Sequence, residues 1–179
     1  MVISEEEADA LEIPEIGSGR TGLYIEAIEK SSKLITDRPV LAGAIGPFSL
    51  AGRLMDVSEA MIYCYEEPDM VHTVLEKVTS FIINYCTEYK RAGANGIVLA
   101  EPLAGLLSPA LAEEFSADYV KQIVDAVQDE EFIIVYHNCG TCTIQQIDSI
   151  IAPGCPLLHF RNAISLAEMM PHIPAHIDA

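Results

Sequence analysis

Short apolar runs alternate with longer amphipathic segments along most of this 179-residue chain. The apolar runs are rich in valine, isoleucine, leucine and alanine, and glycine, proline or polar residues bound them. Runs of this kind are typical of strands that are buried on both faces of a parallel sheet. We therefore predict β-strands at 40–45, 96–100, 132–136 and 156–160.

The segments between these runs have the spacing of amphipathic helices. Helices are predicted at 21–35, 49–55, from 58 onward, and at 68–91, 108–127, 143–151 and 165–170. Ser58 is expected to cap its helix, Pro68 suits a first helical turn, and Gly93 suits a helix end. Residues 1–19 are acidic and are predicted to form a lead-in loop, whereas the last residues resemble the approach to another strand.

Strands that alternate with helices through short connections indicate βαβ units and a parallel sheet. We predict one α/β domain over residues 1–179, and the pattern leaves doubly wound and barrel arrangements open. A complete (β/α)₈ barrel needs eight strands and about 250 residues. If the chain is a barrel, it is therefore expected to be about half of one. No Gly-x-Gly-x-x-Gly turn follows any predicted strand, which disfavours nucleotide binding.

The charge of the chain excludes some classes of partner. Its formal net charge is −17, and binding to nucleic acid or to an anionic membrane surface requires basic patches. No apolar run approaches the roughly 20 residues of a membrane span, and the amino terminus lacks the basic start of a signal peptide. We therefore predict a cytoplasmic protein with no nucleic-acid or membrane partner.

The five cysteines do not form a disulfide framework, because their number is odd and their spacing is scattered. Cys64 and Cys86 lie within helical patterns, and we interpret them as ordinary buried thiols. Reduced thiols are consistent with a cytosolic setting.

The end of the third predicted strand carries candidate chemistry. His137 and Cys139 are two residues apart, so on a strand their side chains point to the same side. Imidazole and thiolate are ligands that Zn²⁺ prefers, and this pair predicts a metal site. The alternative is that His137 is a hydrogen-bonded core histidine. His159 ends the fourth strand and either lines the same edge or serves in packing or capping.

Cys142 has three interpretations. It is a bystander thiol, a further zinc ligand in His-x-Cys-x-x-Cys, or part of a Cys-x-x-Cys redox site with Cys139. The redox reading is weakened because the antiparallel strands of a thioredoxin-like sheet are not predicted here, and because it leaves His137 unexplained.

Three motifs together resemble the uroporphyrinogen decarboxylase superfamily. They are Gly-Pro-Phe-Ser-Leu-Ala-Gly at 46–52, Ala-Gly-Leu-Leu-Ser-Pro at 104–109 and Tyr-His-Asn-Cys-Gly at 136–140. The His-x-Cys pair makes the chain most similar to the zinc-dependent methylcobamide:coenzyme M methyltransferases and related corrinoid-protein methyltransferases. The resemblance implies a TIM barrel of which this chain is part, with the first barrel strand lying outside it.

In that branch, the resemblance implies that zinc is held by the residues matching His137 and Cys139 and by a cysteine from a later strand. The metal-bound thiolate of a substrate such as coenzyme M would attack the methyl group of a methylcobamide carried by a partner corrinoid protein. The attack would form a thioether and break the cobalt–carbon bond, which leaves the cobalt reduced. Cys142 is the candidate third ligand within this sequence. Glu101, at the end of the second strand, either orients substrate or supports the site, or is a solvated loop carboxylate.

Other functions stay open beside the methyltransferase. A decarboxylase-like member of the superfamily would act on a tetrapyrrole without a metal. A truncated, catalytically incomplete fragment would have at most a binding role, so whether the chain is itself an enzyme is left undecided. A half-barrel exposes sheet edges and apolar faces, and these favour homo-oligomers.

Overall fold

The computed structural model describes residues 1–140, 143–161 and 164–178. In this part of the chain, four strands form one parallel sheet in the order β1-β2-β3-β4. The strands are β1 Leu41–Ile45, β2 Gly96–Ala100, β3 Ile133–Asn138 and β4 Leu157–Phe160. The predicted α/β class with parallel strands is confirmed, and each strand lies within two residues of its predicted bounds.

Nine helices precede, connect and follow these strands in the described part of the chain. They are α1 Glu5–Ala10, α2 Thr21–Leu34, α3 Pro47–Met55, α4 Val57–Glu66, α5 Pro68–Arg91, α6 Pro109–Ala112, α7 Asp118–Val127, α8 Ile147–Ile151 and α9 Leu166–Met169. A π-helical turn at Glu113–Ala117 joins α6 to α7 within the helix predicted at 108–127. Short 3₁₀ turns lie at Ala104–Leu106 and Met170–His172. None of the helices described here combines the length and apolar character needed to cross a bilayer.

The acidic lead-in is not only a loop, because it contains α1. The Ser4 hydroxyl accepts a hydrogen bond from the Glu7 amide at 3.3 Å, and glutamates fill the first turn. Both features stabilise a helix amino terminus. Ala8 of α1 is buried, and the Val2 amide donates to the Leu54 carbonyl oxygen at 2.8 Å, which ties the lead-in to α3.

Three predicted helix starts were wrong, and one of them is that of α3, which begins at Pro47 and not at Ser49. Asp56, and not Ser58, caps α4, because its carboxylate accepts from the Ser58 amide at 3.0 Å. The helix predicted at 143–151 begins only at Ile147. The end of α5 is as predicted, since Gly93 follows it with a φ of +92°, a conformation that glycine adopts without a Cβ penalty.

One face of the sheet is buried beneath the helices. In-register rows on this face include Ala42, Ile97 and Ile134, followed by Leu99, Tyr136 and Leu158. They pack with the apolar sides of α5 and α7, whose contributions are Ile82, Cys86, Tyr89, Val120, Ile123, Val124 and Val127. This cluster fixes which residues of each strand point to the opposite face.

The opposite face of the sheet is more open. Leu41 is 39 % exposed, Ile45, Ala100 and His137 are half-buried, and His159 is exposed. At the far edge, Asp178 forms an isolated parallel bridge with Leu157. This bridge agrees with the predicted approach to a further strand after β4.

Substitution of Ile97 tests how far the free energy of unfolding depends on the buried face of the sheet. Ile97 is fully buried at the centre of the sheet, so Ile97→Ala is expected to lower the free energy of unfolding by about 2–5 kcal/mol through lost burial and a cavity. Urea unfolding measures the loss. The control is Leu34→Ala, where an 82 % exposed side chain is expected to change stability by less than about 0.5 kcal/mol. Equal losses in the two variants would contradict this core.

Candidate functional site

The carboxyl ends of the strands form a row of side chains on the open face. Ile45 pairs with Ala100, Ala100 with His137, and His137 with His159. Residues that are paired in register across parallel strands point to the same face. The carboxyl edge of a parallel sheet is where α/β proteins assemble their sites, and here that edge carries two imidazoles.

His137 and His159 are in direct contact. Nδ1 of His137 lies 3.0 Å from the carbonyl oxygen of His159 and 2.8 Å from Nδ1 of the same residue. The ring centroids are 4.8 Å apart. Of the alternatives for His159, the structure supports the one in which it lines the same edge as His137.

Cys139 follows His137 by two residues and is a half-buried free thiol. Cys142, the third candidate ligand, lies outside the residues that the structure describes. Within 1–140, 143–161 and 164–178, no three His, Cys, Asp or Glu side chains are grouped as metal ligands. Metal binding by His137, Cys139 and Cys142 therefore stays a prediction.

A buried polar turn holds the backbone on both sides of Cys139. The Asn138 Oδ1 atom accepts from the Gly140 amide at 2.9 Å, which is an Asx-type turn. The Thr143 hydroxyl donates to the Gly140 carbonyl oxygen at 2.6 Å. Asn138 and Thr143 are each 1 % exposed, so solvent does not compete for these bonds. The turn limits where the Cys139 side chain can lie.

This turn is also anchored to the loop that follows β2. A Cβ atom added to Gly140 would lie 2.3 Å from the Gly105 Cα atom, so the two backbones touch and only glycine fits there. The Gln146 side-chain amide donates to the Ala104 carbonyl oxygen at 3.1 Å and also to that of Leu107. The motifs at 104–109 and 136–140 are therefore adjacent in space.

Glu101 directly follows β2 and is completely buried. Its Oε1 atom accepts from the Ser49 amide at 2.7 Å and from the Ser49 hydroxyl at 2.9 Å, in the first turn of α3. Its Oε2 atom has no hydrogen-bond partner in the described part of the chain and points at Gly46, where a Cβ would come within 1.6 Å. Burial raises the pKa of this carboxyl to about 8, and the bonds from Ser49 oppose that rise.

The placement of Glu101 decides between the two readings of this residue. The solvated loop carboxylate is wrong, because none of the side chain reaches solvent. The Glu101 amide donates to the His137 carbonyl oxygen at 2.9 Å, so the residue is adjacent to the site through its backbone. Its role in orienting a substrate or supporting the site stays a prediction, while the carboxyl itself joins β2 to α3.

Four buried polar residues that support the site were not predicted from the sequence. They are Ser49, Asn138, Thr143 and Gln146. The available signal was a polar residue at the end of an apolar strand, followed by glycine, as at Asn138-x-Gly140. The reading of Cys64 and Cys86 as buried thiols is confirmed. Burial raises the pKa of each to about 12, which leaves both protonated.

Comparison with protein families gives one match that covers nearly the whole chain. The model described as uroporphyrinogen decarboxylase (URO-D) matches residues 1–175. The uroporphyrinogen decarboxylase of Coxiella burnetii (strain RSA 493 / Nine Mile phase I) is 29% identical over 167 residues, which are 86% of this chain and 45% of that protein.

A second group of relatives has a different activity in its name. The methylcobamide:CoM methyltransferase MtbA of Methanosarcina acetivorans is 31% identical over 147 residues, covering 80% of this chain and 43% of that protein. A solved methyltransferase from Methanosarcina mazei superposes with a TM-score of 0.84 at 23% identity. It is matched over 94% of this chain and 51% of its own length.

These matches settle the fold class. The four parallel βα units correspond to about half of a TIM barrel, as predicted. The chain spans about half the length of the curated relatives it matches.

The buried Glu101 carboxyl predicts a pH-dependent stability. Its pKa rises from 4.5 to about 8 on folding, so between these values the folded chain holds a proton that the unfolded chain releases. Its contribution to the free energy of unfolding therefore falls as the pH rises from about 4.5 to about 8. Glu101→Gln keeps the shape of the side chain without its charge. The free energy of unfolding of the variant minus that of wild type is therefore expected to be higher at pH 8 than at pH 5, by roughly a kcal/mol or more.

Urea unfolding at both pH values measures this difference. Glu12→Gln, at an exposed glutamate, is the matched control and is expected to give the same stability difference from wild type at both. A Glu101→Gln variant that follows the wild-type pH profile would show that the carboxyl titrates normally.

Proposed function

The chain belongs to the uroporphyrinogen decarboxylase family, and on this basis we propose that it carries the zinc-binding part of a methyltransferase site. His137 and Cys139 hold the metal, and Cys142 is the third ligand available in this sequence. The proposal depends chiefly on one observation. A half-buried imidazole lies near the end of β3 on the open face, and a half-buried free thiol follows it after one residue.

The donor set fits zinc. Zn²⁺ takes imidazole nitrogen and thiolate sulfur in tetrahedral sites, and catalytic sites keep one position open. Cys139 differs from Cys64 and Cys86 in that it is not fully buried. The Asn138–Gly140 turn holds its backbone, and metal sites depend on such supporting hydrogen bonds.

The relatives suggest the reaction class. MtbA is named a methylcobamide:CoM methyltransferase, so the proposed substrates are a small thiol such as coenzyme M and a methylcobamide on a partner corrinoid protein. Zinc at this edge would favour deprotonation of the substrate thiol, and the resulting thiolate is the nucleophilic form. The half-buried Ile45 and Ala100, which share a row with His137, would provide an apolar floor beside that thiol.

Glu101 is proposed to position the site without contacting substrate. Its carboxyl joins the end of β2 to the first turn of α3 through Ser49, and the Ser49 hydroxyl accepts from the Leu103 amide at 3.0 Å. These bonds fix the strand end that lies next to His137. The neutral acid suits this buried place, because a buried carboxylate without a cation is costly.

A decarboxylase-like activity on a tetrapyrrole is the second candidate. The relatives named uroporphyrinogen decarboxylase and the family model support it. It needs no metal and predicts that replacing Cys139 leaves activity unchanged. The two candidates therefore differ in what Cys139 does.

Zinc content tests the proposal. The purified chain is expected to hold about one zinc ion, and Cys139→Ser is expected to lose it, because serine supplies no thiolate. Elemental analysis after dialysis measures zinc per chain. Cys64→Ala is the matched control, since it removes a thiol that is buried in α4, away from the strand ends. Zinc retained in Cys139→Ser, or absent from the wild type, would contradict the metal site and favour the decarboxylase reading.

A further inference from the structure

His159 contacts His137, and the proposed function assigns no role to this contact. The two residues are 22 positions apart in sequence and meet because β3 and β4 pair in register. Both atoms that His159 presents, its own carbonyl oxygen and its Nδ1, approach the same ring nitrogen of His137.

These two contacts determine where the hydrogen of the neutral His137 ring lies. A carbonyl oxygen only accepts hydrogen bonds, so the atom facing it at 3.0 Å, Nδ1 of His137, must donate. The Nδ1–H group is then shared with Nδ1 of His159 at 2.8 Å, which accepts. If His159 were the donor, His137 Nδ1 would carry a lone pair that faces the carbonyl oxygen, which is repulsive.

We infer that His159 is a positioning residue that fixes the tautomer of His137, with hydrogen on Nδ1 and a free lone pair on Nε2. A metal-binding histidine commonly donates its other ring N–H to a carbonyl oxygen or a similar acceptor, which orients the ligating nitrogen. The inference rests on the proposed function, because it assigns Nε2 of His137 as the atom that would meet zinc. It also assigns His159 an accepting role and not that of a ligand.

Long-range ¹H–¹⁵N spectra of the side-chain imidazoles test the tautomer without any metal. The chain has five histidines, and His137→Asn identifies the His137 signals by their loss. At about pH 8, wild-type His137 is expected to show Nδ1–H with a bare Nε2. His159→Ala removes one of the two acceptors and is expected to shift part of the His137 population toward Nε2–H, while the remaining carbonyl oxygen holds the rest as Nδ1–H. His159→Asn keeps an accepting oxygen at the place of Nδ1 and is expected to restore the wild-type pattern.

Zinc affinity provides the second readout. His159→Ala is expected to weaken zinc binding about tenfold, at the lower end of the usual range for partners of metal ligands, because the backbone carbonyl oxygen remains. His159→Asn is expected to stay near wild type. His172→Ala, at an exposed histidine in the turn after α9, is the matched control and is expected to change neither readout.

The outcomes separate this inference from the proposed function. The inference is overturned if wild-type His137 carries its hydrogen on Nε2. It is also overturned if His159→Ala changes neither the tautomer of His137 nor the zinc affinity. Either outcome leaves a His137–Cys139 zinc site intact. A metal-free chain with Nδ1–H on His137 and no zinc binding supports the tautomer assignment and contradicts the proposed function.

Discussion

The in-register parallel pairing of β2, β3 and β4 is the constraint on which the site depends. Because side chains alternate along a strand, a shift of one residue would move every side chain of β3 to the other face. His137 would then lie beneath the helices, and Tyr136 would reach solvent. The buried rows around Ile97 and Leu99 prevent that shift, since they are packed against α5 and α7. The hydrophobic core thereby determines which imidazoles meet at the open face.

Polar contacts then hold the strand ends in place. Glu101 joins β2 to α3 through Ser49, and the contact between Gly105 and Gly140 brings together the loops after β2 and β3. Unsatisfied polar groups in buried positions are costly, so such contacts tolerate little displacement. The turn that carries Cys139 is therefore supported from two directions, as a preorganised metal site would require.

Much of the fold could be predicted because strands and helices follow from local patterns. Apolar runs identified β1 to β4, and Pro68 and Gly93 marked the ends of α5. The helix in the lead-in was missed because its signals, Ser4 and the glutamates after it, come before any apolar period. The position of His159 at the same edge as His137 was one of two predicted alternatives. Their direct contact could not be predicted, since it depends on the register between strands and on no local motif. The burial of Glu101 also could not be predicted, because it depends on a tertiary contact in which α3 packs over the end of β2.

X-ray absorption at the zinc edge of the zinc-loaded chain tests most directly whether His137 and Cys139 hold one ion. The spectrum is predicted to require sulfur at about 2.3 Å together with nitrogen at about 2.0 Å from a single imidazole. Sulfur identifies a cysteine ligand, and the single imidazole agrees with His159 acting on His137 from outside the metal. A spectrum with only oxygen and nitrogen neighbours would contradict the site, because no thiolate would then bind the metal.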